Sequence, residues 1–248
     1  MLKRRKLKLL IGVVMVFTAG AALLQAQRFR RGSGYQNEPP NTEFVFGRLH
    51  YGTGGFFGGN GWSHDYPAAE QHFNQIMSEA TGLNVERMSY RIIEMGSPEL
   101  FDYPFSYISE AGEMRLTEQE VVNLREYLDR GGFIMVDDFD GAAQLENLRR
   151  NLLRVYPERE MFPLTIQHPI FNTFYSLDPT NLPSPYNYGN NPMFYGYPDG
   201  HGNTSMIICH DNDIGDFWEW IDQPRFPLEP SSESLRFGIN FVVYAMTH

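Results

Sequence analysis

At 248 residues, 42% hydrophobic and 15% aromatic, the chain has enough apolar material for a packed core, which excludes disorder over most of its length. Thirty acidic against 20 basic residues give a formal charge of −10, which excludes a nucleic-acid backbone as partner. A lone cysteine, Cys209, excludes an intramolecular disulfide and any cysteine-rich zinc or iron–sulfur centre.

The chain opens with Lys3, Arg4, Arg5, Lys6 and Lys8, followed by an uncharged run from Leu9 to Leu24. That is the layout of a secretory signal, cleaved after Ala26 or after Ala22. Retained, it would be an N-terminal anchor, although it falls short of the roughly 20 apolar residues a spanning helix needs. Arg4-Arg5 leaves both general and twin-arginine export open. The expected location is the periplasm or cell envelope of a bacterium, with membrane contact only through residues 9–24. Without residues 1–26 the chain keeps 15 arginines, no lysine and all 30 acids, a net −15. A chain without lysine has no P-loop lysine and no Schiff-base or pyridoxal-phosphate site.

Residues 27–43 read as a flexible lead-in, and 44–248 as one domain. Phe44 to Tyr51 reads as a first strand, running into the glycine-rich stretch Gly52–Gly61. Asp65 and Pro67 open a helix with Ala69, Phe73, Ile76, Met77 and Ala80 on one face, closed by Gly82. Strands are expected over 84–90 and 104–109. Thr117 and Glu120 form a capping box for a helix carrying Val121, Leu124 and Leu128. Phe133 to Val136 is the clearest central strand, and Leu145, Leu148, Leu152 and Val155 mark the helix after it. Residues 157–204 read as long loops. Met206 to Cys209 is another buried strand, and Leu235, Ile239, Val242 and Met246 stripe a final helix. This alternation predicts a parallel sheet with helices on both faces.

In such sheets ligands bind beyond the carboxyl ends of the strands. Three expected strands end in polar clusters that would meet on one rim: His50 with Trp62, His64 and Asp65; Asp137, Asp138 and Asp140; and Cys209-His210-Asp211-Asn212-Asp213. The aspartate trio admits three readings: a divalent-cation site, general acid/base groups, or structure. In the structural reading Asp137 caps the next helix, Asp138 pairs with an arginine such as Arg48 and Asp140 is solvated. The spacing is not that of an EF-hand loop. His50, His64, His168 and His210 form no HExxH or His-x₃-His pattern, and Cys209 reads as core. The glycine-rich stretch lacks GxGxxG and GK[ST] spacing and could be a lid. Trp62, Tyr66, Tyr186, Tyr188, Tyr195 and Tyr197 could stack on a sugar ring.

The series Phe46-Gly-Arg-Leu-His-Tyr51, Trp62-Ser-His-Asp-Tyr-Pro67, Leu100 to Phe105, Leu128 to Phe133, Asp137-Asp138, His168-Pro-Ile-Phe171 and Gly238-Ile-Asn240 resembles the bacterial domain of unknown function 4159 family. The resemblance implies a class I glutamine amidotransferase-like, flavodoxin-like fold: a three-layer α/β/α sandwich with a mostly parallel central sheet. It implies no established activity. Amidotransferases of that fold carry a nucleophilic cysteine on the turn after a central strand, where this chain has Asp137-Asp138, so the glutaminase mechanism does not carry over.

The first expectation is therefore a non-enzymatic or degenerate amidotransferase-like domain. It would bind a small ligand or an envelope protein at the rim of Arg48, His50, Trp62, His64, Asp65, Tyr66, Asp137, Asp138, Asp140, His168, His210 and Asp211. A second is a hydrolase using Asp137 and Asp138, with His50 or His168 carrying protons and a divalent cation as an optional partner. A third is a structural envelope subunit.

Overall fold

A computed structural model describes residues 38–53, 60–181, 184–185 and 192–248. The expected export segment, most of the expected lead-in, residues 54–59 of the glycine-rich stretch, Tyr186 and Tyr188 lie outside the described residues. Among the described residues no helix is long and apolar enough to cross a membrane.

The elements run β1 (Phe46–His50), α1 (Ala68–Thr81), β2 (Tyr90–Glu94), β3 (Phe105–Ser109), α2 (Glu118–Asp129), β4 (Phe133–Asp137) and α3 (Gly141–Val155). They continue with β5 (Phe162–Pro163), β6 (Met193–Pro198), β7 (Thr204–His210), α4 (Ile214–Glu219) and α5 (Leu228–Thr247). One seven-stranded sheet holds them in the order β2-β1-β3-β4-β7-β6-β5. The first five strands in that order pair in parallel, whereas β6 is antiparallel to β7 and to β5.

Alternation along each strand splits the core in two. Phe46, Phe105, Tyr107, Phe133, Met135, Ile207 and Cys209 point to one face, where Phe73 of α1, Trp218 of α4 and Phe237 and Phe241 of α5 cover them. Leu49, Ile108, Ile134, Val136, Met206 and Ile208 point to the other, under Leu124 and Leu128 of α2 and Leu148 and Leu152 of α3. Helices therefore flank both faces, as buried parallel strands require.

Local chemistry explains where the elements begin and end. The Thr117–Glu120 capping box closes both ways at the start of α2. Gly82 ends α1 in the left-handed region at φ 73°. The strand expected over 84–90 starts only at Tyr90, because side chains claim the backbone before it. Ser89 Oγ accepts from Glu86 N at 2.9 Å and Asn74 Nδ2 donates to Ser89 O at 2.9 Å, forming a turn in place of a ladder. The loops expected over 157–204 contain β5 and β6, and Pro163 sits on the edge strand, where a missing N–H is tolerated. The helix α4 is six residues long, too short to show a period in the sequence. In α5, Met246 is exposed and drops out of the expected stripe.

One polar row interrupts the apolar face under α1 and α4. Arg48 pairs in register with Tyr107, and both point to that face. Arg48, 1% exposed, forms an ion pair with fully buried Glu70 of α1. Its guanidinium also lies 4.7 Å from the Tyr107 ring centroid. It donates to Trp62 O at 3.1 Å and His64 O at 2.7 Å, so the pair holds the loop after β1 against the sheet. Removing one partner of a buried pair leaves an uncompensated charge. Glu70→Ala is expected to cost about 3–5 kcal/mol in denaturant unfolding; a loss within ordinary surface scatter would show that the pair does not anchor the fold.

Candidate functional site

Because β1, β3, β4 and β7 run the same way, the residues after their last positions gather at one edge. Four non-glycine residues of the described chain have left-handed φ: Asp65 (64°), Glu110 (55°), Asp138 (57°) and Asp211 (56°). All four are acidic, and Glu110, Asp138 and Asp211 directly follow β3, β4 and β7. L-residues rarely adopt this conformation, at about 1–3 kcal/mol each, and such residues gather at functional sites.

The carboxylates converge. One ligand atom each from Asp65, Asp138 and Asp213 lies within 4.8 Å of the others, and the same holds for His64, Glu110 and Asp138, and for Asp65, Asp216 and Glu219. His64 Nδ1 sits 3.1 Å from Glu110 Oε1 and 3.4 Å from Asp138 Oδ2. Asp138 Oδ2 also accepts from Ser109 Oγ at 3.1 Å. Hydrogen bonds to Asp138 and Glu110 lift the His64 pKa to about 10, making it an imidazolium at neutral pH.

Beneath this layer Asp137, fully buried at the end of β4, accepts from Tyr107 Oη at 3.0 Å and from Gly215 N at 2.8 Å through Oδ2. Its Oδ1 is buried with no hydrogen bond, as is Asp65 Oδ2. Burial lifts the Asp137 pKa to about 7 against the pull of the Gly215 and Ile214 amides. Burial, then the charge of Asp138, pushes Asp65 and Asp213 well up. Burial likewise raises Glu110, Asp216 and Glu219.

The expected rim residues fall into three sets. His64, Asp65, Asp137 and Asp138 come together, with Arg48 and the Trp62 carbonyl as their support. His50 reaches the same edge but pairs with Glu94 at 2.7 Å and packs on Trp62, ring centroids 4.6 Å apart. Tyr66 packs edge-on against Tyr90 and lies within 5.9 Å of the Arg48 guanidinium. His210, Asp211 and Asp140 stitch the turns after β4 and β7. Asp211 Oδ1 accepts from Gly141 N at 2.8 Å, His210 Nε2 donates to Gly141 O at 3.2 Å, and Asp140 N donates to Gln144 Oε1 at 3.1 Å.

Two expectations differ from the observed positions. His168 is not on this rim: its Nε2 meets Thr204 Oγ1 at 3.2 Å, at the amino end of β7, the opposite edge of the sheet. The structural reading of the trio meets other partners than those expected. Arg48 is taken by Glu70, Asp138 turns to Ser109 and His64, and Asp140, not Asp137, occupies the N-cap position of α3. Among the described residues, the carboxylate groupings around Asp138 draw in Asp65, Glu110 and Asp213 instead of Asp137 and Asp140.

Glu110 and Gly215 escape the sequence reading, and Asp213 appears there only as the end of the third polar cluster, without a role. Glu110 follows a strand end that the rim rule covers. Asp213 caps α4 by accepting from Asp216 N at 2.8 Å. Cys209 lies in the core of β7, where burial pushes its thiol well up.

The pKa shifts give a pH signature. Asp137 is protonated in the fold between its ordinary 3.8 and about 7, so its contribution to stability is lost as pH rises through that window. His64 stabilises fully below its ordinary 6.5, and that contribution is lost as pH rises through about 10. Urea unfolding across both windows should show stability falling with pH. Asp137→Asn should flatten the acid part and His64→Gln the alkaline part; profiles unchanged in both variants would contradict these assignments.

Residues 45–246 match the family described as Domain of unknown function (DUF4159). No curated protein matches the sequence.

Proposed function

We propose a ligand-binding role for this chain, which belongs to the DUF4159 family. The carboxylate rim is its binding site, on an exported cell-envelope protein with an amidotransferase-like framework and no thiol chemistry. The strand order β2-β1-β3-β4-β7, all parallel, with helices on both faces, supports a flavodoxin-like core with β6 and β5 added at one edge. In that reading Asp138 takes the place where amidotransferases carry their nucleophile, after the central strand and at left-handed φ.

The observation that carries the proposal is the strained backbone. Asp65, Glu110 and Asp138 each present a carboxylate to one edge from an unfavourable conformation, next to Asp137 and Asp213. Like charges gathered in a buried place destabilise a fold, and such cost is characteristic of a site kept for binding. A carboxylate-based hydrolase is the second reading, favoured by His64 Nδ1 lying between Asp138 and Glu110. His64 would then act as proton donor, a role that His50 and His168 are placed too poorly to fill.

Two measurements test the proposal. Asp65→Asn and Asp213→Asn keep size and capping ability but remove charge. Each is expected to raise the thermal midpoint of the ligand-free protein by about 2–4 °C, corresponding to about 1 kcal/mol. Falls in both would make these acids structural and contradict the binding rim. For the absence of thiol chemistry, Cys209 is expected to react with a thiol reagent only after denaturation. Rapid labelling of the native protein would contradict it.

A further inference from the structure

We propose that Asp65, Asp138 and Asp213 bind a calcium ion, an inference that rests on the ligand-binding reading of the rim and names its ligand.

The donor set is all oxygen, which selects hard cations over zinc or copper. The three carboxylates reach within 4.8 Å of one another. Oxygens that close fit in one shell of Ca²⁺, which takes six to eight oxygen ligands at about 2.3–2.6 Å in flexible geometry, whereas magnesium demands a near-octahedral shell and keeps several waters. The carboxylates come from three turns anchored separately. The Arg48 contacts to Trp62 and His64 hold the loop before Asp65, β4 carries Asp138, and the start of α4 carries Asp213.

A second, independent observation points to a ligand. Asp65 Oδ2 is shielded from solvent and accepts no hydrogen bond, although a desolvated carboxylate oxygen without a partner is costly. It faces the other donors across Gly215. A Cβ on Gly215 would lie 2.6 Å from Asp65 Oδ2, 2.7 Å from Tyr107 Oη and 3.5 Å from Asp213 Oδ1. The missing side chain lets those oxygens approach the backbone of Gly215 closely, with Asp65 Oδ2 and Asp213 Oδ1 beside the same residue.

The charge balance agrees. Asp65, Glu110, Asp138 and Asp213 share this edge with a single histidine, His64, while Arg48 is paired with Glu70. A divalent cation offsets the surplus, leaves His64 to Glu110 and the far side of Asp138, and completes its shell with water.

The test uses the full chain, freed of metal by chelation, with near-ultraviolet circular dichroism to check that each variant is folded. Calorimetric titration with calcium chloride is expected to show one saturable site, with calcium binding more tightly than magnesium. Asp65→Asn and Asp213→Asn should weaken binding at least tenfold. Gly215→Ala, which keeps every carboxylate but pushes Asp65 Oδ2 out of its place, should do the same. No saturable binding up to about 10 mM, beyond the range of the weakest extracellular calcium modules, overturns the assignment. Binding that survives all three substitutions also overturns it, because the ion then sits elsewhere. The midpoint of ion-free Asp65→Asn separates the two claims. If it rises while calcium fails to bind, the rim remains a site for another ligand; if it falls and that of Asp213→Asn falls with it, the binding rim is overturned too.

Discussion

The buried ion pair between Arg48 and Glu70 joins the sheet to the chemistry at its edge. Arg48 lies inside β1, where alternation turns its side chain towards α1 and away from water. Such a charge survives only if it is paired and its donors are satisfied. Glu70 supplies the countercharge at Nε, and the Trp62 and His64 carbonyls accept from Nη1. The geometry therefore runs one way, from a fixed β1 to a fixed guanidinium, then to the loop that delivers His64 and Asp65. Glu70 Oε2 is left without a hydrogen bond, so the pair is neutral overall but not fully satisfied, as befits a positioning device more than a source of stability.

Parallel topology does the rest. Residues after β3, β4 and β7 emerge side by side, and left-handed turns at Glu110, Asp138 and Asp211 swing their carboxylates across the edge instead of out to water. Glycine would adopt those turns at less cost. An acid in each place means that the side chain has a use. The amide of Gly215 bonds Asp137 below, while its missing Cβ leaves space above for Asp65 and Asp213. One residue thus links the end of the central strand to the start of α4.

Much of the core was legible because its signals are local. The capping box at Thr117, the apolar run Phe133–Val136 and the stop at Gly82 each depend on neighbours within a few residues. The antiparallel β6 was hidden among prolines, asparagines and tyrosines, since its pairing with β7 depends on distant partners. Near the site, Asp65, Asp137 and Asp138 were visible as acids at strand ends. The strand-end rule that caught them also applies to Glu110, but a single acid after a short apolar strand draws no notice. The partner of Arg48 was out of reach: Glu70 reads as an ordinary solvent-facing residue of an amphipathic helix until α1 is laid on β1. His168 misled for the same reason, since sequence does not say to which end of the sheet a loop returns.

The central claim is that the rim acids converge on a ligand and do not merely brace one another. The most direct measurement is an anomalous difference map from crystals grown with calcium and recorded at long wavelength. The account predicts a single strong peak bounded by Asp65, Asp138 and Asp213, with Asp65 Oδ2 among its ligands. A featureless map at that spot, with Asp65 Oδ2 instead protonated and hydrogen-bonded to a neighbouring carboxylate, would contradict it.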